Sequence, residues 1–149
     1  MPRKKRKPEE LRAVWEHLGY ETDMLTDVAR ELATAGRYPW AVKNALVESY
    51  AIHLRNVIEF LWPPDSPNKD LVTADDFLAS PLDWQPPSIP NELKDARRRA
   101  SQQVSHLSYA RLRVTLEGKQ WTRELAAKVV SAFNEFLTHI PEEHARPLA

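Results

Sequence analysis

The chain contains no cysteine and only three glycines, Gly19, Gly36 and Gly118, and no stretch of it is uninterruptedly apolar for long. Without cysteine neither a disulfide framework nor a thiolate metal site can form, so a secreted, staple-dependent scaffold is not expected. A reducing cytoplasmic setting is expected instead, or a nuclear one in a eukaryotic host. Three isolated glycines cannot build the phosphate-cradling loops of P-loop or dinucleotide-binding enzymes, which removes the nucleotide-cofactor classes. The longer apolar runs are broken by Glu, Lys, His or Arg every few residues, and the basic start leads into Pro8-Glu9-Glu10, not into an apolar signal core. No membrane partner is therefore expected. The five histidines, His17, His53, His106, His139 and His144, never fall at a His-x-x-x-His or Glu-x-x-His spacing that would place two ligands on one helical face. Neither a metal nor another cofactor is expected.

What is present is enough for one domain. A chain of 149 residues with 42% apolar content can bury one sizeable helical core. The formal net charge of zero conceals an uneven distribution, because Arg3, Lys4, Lys5, Arg6 and Lys7 carry five of the 21 positive charges. The remaining 16 positive charges face 21 negative ones, leaving residues 8–149 at minus five. Within them the segment 94–119 is basic, holding Lys94, Arg97, Arg98, Arg99, Arg111, Arg113 and Lys119 against only Asp95 and Glu117. Such asymmetry steers a polyanion toward one region, although solvated helix faces also produce it.

Residues 1–7 read as a disordered basic arm, since five like charges repel and no apolar side chain follows Met1. From Pro8 to about Ala35, Leu11, Val14 or Trp15, Leu18, Leu25, Val28 and Leu32 recur at helical spacing. Gly19 weakens the middle of this helix, and Gly36 is placed as its C-cap. A second helix follows from about Pro39 to Trp62 and is stopped by Pro63-Pro64, forming an antiparallel hairpin with the first. Seven prolines between Pro63 and Pro90 make a long crossover, within which Thr73-Ala74-Asp75-Asp76 has the form of a capping box. Phe77, Leu82 and Trp84 are expected to tack that crossover onto the core. A third helix with a thin apolar seam spans Asn91 to about Ser105, the junction 106–118 is left open, and a strong stripe from Trp121 to Ile140 gives a fourth helix closed by Pro141. The expected fold is all-α: a four-helix bundle over residues 8–141, with a C-terminal tail at 142–149.

Two segments place polar residues where the apolar pattern would otherwise continue. In the second helix His53, Asn56 and Glu59 are spaced by three and share a side, and Arg55 lies one turn before Glu59. In the other, Arg97-Arg98-Arg99 runs through Ser101 to His106, Tyr109 and Arg111. A guanidinium grips phosphate and an imidazole moves protons near neutral pH, so this combination suits phosphodiester chemistry. Adjacent carboxylates such as Asp75-Asp76 and Glu142-Glu143 point in different directions on a helix and read as caps and solvated faces.

Arg99, followed after six residues by His106, together with Ser105-His-Leu-Ser-Tyr-Ala-Arg111 and His53-Leu-Arg-Asn-Val-Ile-Glu-Phe-Leu-Trp62, resembles the HEPN superfamily over roughly residues 40–140. The resemblance implies a small helical bundle that forms a homodimer and acts on RNA as a metal-independent ribonuclease, in toxin–antitoxin or antiphage systems. It makes Arg99 and His106 the catalytic pair, with Ser101, Tyr109, His53, Arg55, Asn56 and Glu59 in support. Arg3, Lys4, Lys5, Arg6, Lys7, Arg97, Arg98 and Arg111 are the candidate nucleic-acid contacts. Ala100 departs from the pattern, standing where active members carry a polar residue directly after the Arg. The alternative is a non-catalytic module that recognises a protein partner, for which the thin third-helix seam and five tryptophans supply anchors.

Overall fold

A computed structural model describes residues 4–105, 107, 109–113 and 120–144. It contains four α-helices and, among the described residues, no strand: α1 (Pro8–Leu32), α2 (Trp40–Leu61), α3 (Asn91–Ala100) and α4 (Arg123–Leu137). Shorter 3-10 turns occur at Ala35–Arg37, Ala74–Phe77 and Tyr109–Arg113, and α3 runs on into a π turn at Ser101–Ser105. None of the four helices is long and apolar enough to cross a membrane.

The start of α1 is set by Pro8, whose missing N–H is no loss in a first turn, and by Glu10, whose carboxylate accepts the Lys7 backbone N–H at 2.8 Å. Gly19 does not break the helix. Leu11, Trp15, Leu18, Leu25 and Val28 are buried on both sides of it, and their packing outweighs the roughly 1 kcal/mol that a mid-helix glycine costs. Gly36 is not the cap that the sequence suggests. The helix ends at Leu32, and the following turn tightens instead: Ala33, Thr34 and Tyr38 donate their N–H groups to the carbonyls of Arg30, Glu31 and Ala35 at 3.0–3.2 Å. No described glycine takes a positive φ, so the orphan carbonyls are met by 3-10 bonds and not by a left-handed residue. Tyr38 and Arg37 close the turn by donating to Glu31, and the Tyr38 hydroxyl, then the Arg37 guanidinium, hold that carboxyl below its ordinary range.

Between α2 and α3, the reciprocal contact foreseen at Thr73 and Asp76 is made: the Thr73 N–H donates to Asp76 Oδ2 at 2.9 Å. The turn it nucleates drives Phe77 into the centre of the protein, where its ring meets Phe60, Trp15 and Phe136. Trp84 is buried against Phe136 as well. Leu82, in contrast, is 85% exposed, because it sits in a turn pinned by the Ser80 N–H to Asp83 Oδ2 bond at 2.9 Å, which points the chain outward between two buried aromatics. The end of α2 is tied in two ways. Trp62 Nε1 donates to the Pro87 carbonyl at 2.8 Å, and Arg97 donates to the Trp62 carbonyl at 3.0 Å.

All four helices contribute to one core, with α1 packed on α2, and α4 against α1, α2 and α3. His144, just beyond α4, is buried and donates from Nδ1 to the Phe77 carbonyl. Tyr50 joins α2 to the start of α4: its hydroxyl donates to the Thr122 carbonyl at 2.5 Å and accepts the Ala126 N–H at 3.2 Å. Burial pushes this phenol up to about 12, with Glu124 adding to the rise and the Ala126 N–H and Arg99 opposing it. A phenol whose pKa is raised by folding stabilises the protein fully below pH 10 and loses that contribution as pH climbs from 10 through about 12. Tyr50→Phe is accordingly expected to cost about 1–2 kcal/mol at neutral pH. Urea melts at several pH values provide the check, and the wild-type protein should lose stability more steeply than the variant between pH 10 and 12.

Candidate functional site

The polar residues of α2 gather at its seam with α1. His53 is buried, and its Nδ1 lies 2.6 Å from Glu21 Oε2. Asn56 Nδ2 donates to the same oxygen at 3.1 Å, and the Tyr20 ring meets the imidazole in a T-shaped pair at 5.6 Å between centroids. One carboxylate on α1 therefore serves two α2 side chains a turn apart. Arg55 and Glu59 pair with each other at 2.9 Å along α2, and Glu59 also lines a groove of about 260 Å³ with Glu21, Asn56, His17, Phe60 and Val72. Three of the expected polar residues thus do share one side of the helix.

The Glu21 carboxylate fixes a proton on Nδ1 of His53, the arrangement by which an acid orients a general base. Catalysis would further require the imidazole to reach a substrate. With its side chain 11% exposed and a ring against it, His53 is built as a clasp between helices. Glu21 escaped the sequence pattern, yet a signal was there. The apolar stripe of α1 jumps from Leu18 to Leu25, and Glu21 fills the vacant slot three residues after Leu18.

At the other cluster, Arg99 turns toward the start of α4. It is 8% exposed, its guanidinium donates to the Gln120 carbonyl at 2.7 Å, Nε lies 3.0 Å from Asp95 Oδ2, and the guanidinium carbon stacks 4.3 Å from the centre of the Trp121 ring. A phosphate would have to displace these partners. Arg97 is half-buried on the Trp62 carbonyl, whereas Arg98 is exposed and pairs with Asp95 and Gln102. The Ser101 hydroxyl donates back to the Arg97 carbonyl at 3.3 Å. Tyr109 is 87% exposed, and Arg111, Lys4, Lys5 and Lys7 are exposed too. Arg6 is half-buried and donates to the Lys69 carbonyl. His106 and Arg3 lie outside the described residues. Among the described residues no group of three His, Asp or Glu is placed to hold a metal ion.

Another surface is conspicuous for what it leaves uncovered. The first turns of α2, residues 40–45, are all exposed, with Trp40 at 81% and Val42 at 41%, while the second half of the same helix, from Tyr50 to Leu61, enters the core. Comparison with models of protein families, with curated proteins and with solved structures gives no match for this chain.

Proposed function

We propose that this chain is a non-catalytic helical interaction module that pairs with a second copy of itself through the exposed first half of α2. The observation that carries the proposal is Trp40, a large aromatic in the first turn of α2 that is 81% exposed among the described residues. Tryptophan is the residue type most enriched at the energetic centres of interfaces. A zero net charge removes the long-range repulsion that would keep copies apart. The committed guanidinium of Arg99 and the apolar Ala100 beside it favour this reading over a catalytic one.

Sedimentation of the full chain across the micromolar range is the test. The wild-type protein is expected to be dimeric, and Trp40→Asp to weaken the dimer by about 30-fold or more, the effect of losing an interface hot spot of about 2 kcal/mol. At concentrations where both proteins are monomeric the thermal midpoint should not move, because Trp40 contributes little to the core, whereas where the wild type is dimeric the variant's midpoint should fall by mass action. A wild-type monomer throughout that range, or an equally tight dimer from Trp40→Asp, overturns the proposal.

A second reading, the HEPN-like ribonuclease, is favoured by the π turn at Ser101–Ser105, which lies between the arginine triplet and His106. Such turns are rare and concentrate at functional sites. Incubation with single-stranded RNA in chelator separates the two readings. Cleavage that disappears in His106→Ala would replace the interaction module by the enzyme.

A further inference from the structure

The basic arm and the acidic body meet. Along α1 the groove at Glu21 and Glu59 adjoins a second cavity of about 340 Å³, the two sharing Val14, Asp70 and Val72. Glu10, Asp70 and Asp76 line this second cavity, and so does Arg6 from the arm. Arg6 does not extend into solvent as a repelled charge would. It is half-buried and donates to the Lys69 carbonyl across 63 residues of sequence, and it lines the same cavity as Asp70. The Glu10 carboxyl is held below its ordinary range chiefly by the Lys7 backbone N–H, with the charges of Arg6, Lys4 and Lys7 adding to it.

We propose that the carboxylate-lined groove between α1 and residues 69–76 holds the chain's own basic arm in cis, masking it from phosphate polyanions, which must displace it to bind. The reasoning rests on competition for one set of charges. A Lys or Arg that neutralises a nucleic-acid phosphate gains affinity from released counterions. Arm charges that already act on Glu10 and share a cavity with Asp70 must first leave it, so the groove lowers the affinity of the arm for single-stranded nucleic acid. It also flattens the response to salt, because salt that screens the arm from phosphate also releases it from the groove, where the docked contact is exposed at its rim and is screened within about 8 Å at physiological ionic strength. The contact holds a basic segment through one backbone carbonyl and flanking carboxylates, without a deep apolar anchor, which is what a displaceable arm requires.

Because the chain lacks cysteine, a pair of spin labels can be introduced cleanly at the exposed positions Lys5→Cys and Ser66→Cys. At low salt a single narrow distance distribution is expected, and saturating single-stranded oligonucleotide should broaden and lengthen it. Adding Asp70→Asn to the labelled pair should broaden it without any oligonucleotide, and the same substitution in the unlabelled protein should tighten oligonucleotide binding several-fold. Asp70 is exposed, so its amide variant is not expected to unfold the protein, and an unchanged melting curve confirms this. A broad distribution in the unliganded protein, a narrow one that oligonucleotide leaves unaltered, or equal oligonucleotide affinity with and without Asp70→Asn overturns the proposal. The dimer test on Trp40 is independent of all three outcomes.

Discussion

Phe136→Ala is expected to lower the unfolding free energy by about 3–5 kcal/mol, the range for deleting a fully buried aromatic ring whose site cannot collapse. Phe136 is 0% exposed and its ring meets Phe60, Phe133, Trp84 and Phe77 at centroid separations of 5.3–6.4 Å. Those partners come from α2, from α4 itself and from the segment joining α2 to α3, so no single element can move in to fill the void without detaching from another. Edge-to-tilted ring pairs contribute beyond their buried area, and several are lost at once. Against a total of about 5–15 kcal/mol for a domain of ordinary stability, the loss is large. Urea unfolding should show it as a lower midpoint at an unchanged slope. A loss below about 1 kcal/mol would mean that Phe136 is not the ring on which these elements converge.

Arg99→Ala is expected to destabilise the protein by about 2–4 kcal/mol. The charge-assisted bond to the Gln120 carbonyl is of a kind contributing about 1.5–3 kcal/mol, and the stacked Trp121 ring adds up to about 2 where the cation is desolvated. Asp95 adds little, since it is 48% exposed and pairs with Arg98 as well. Arg99→Lys should recover only part of the loss, because a point charge cannot reach the carbonyl and lie flat on the indole together. Thermal unfolding of the two variants decides the matter. If Arg99→Ala melts like the wild type yet removes an RNA-directed activity, the residue belongs to a reacting site and not to the packing of α3 against the start of α4.

The contrast between Arg99 and Glu21 shows where sequence reasoning is strong and where it stops. Arg99 drew attention because of its spacing to His106, which is a property of the chain. Its partners Gln120 and Trp121 lie more than twenty residues away, and nothing in a helical period announces that an arginine will stack on them. Glu21 did leave a mark, as a polar residue in a vacant slot of an apolar stripe, but its meaning needed α2 to be laid alongside. The Thr73–Asp76 box was legible because it is local, made within four residues and by side chains of known reach. Leu82 was misjudged because hydrophobicity says that a side chain prefers burial, and only the Ser80–Asp83 turn decides which way it faces.

The sequence by itself determined the class and the approximate extent of the elements: an all-α chain of four helices, with prolines at the starts of α1, α2 and α3 and proline following the ends of α2 and α4. These follow from short-range sterics and from a 3.6-residue period that any helix must obey. Tertiary structure alone decided that Phe77 and Trp84 enter the core while Leu82 does not. It also decided that His53 clasps Glu21, that Arg99 lies on Trp121, and that Arg6 reaches back to the Lys69 carbonyl. Apart from the local Ser80–Asp83 turn that carries Leu82 outward, each of those is a contact between residues distant in the chain. Its energy comes from desolvation and from a partner that exists only once the helices have packed, so no periodicity along the chain encodes it.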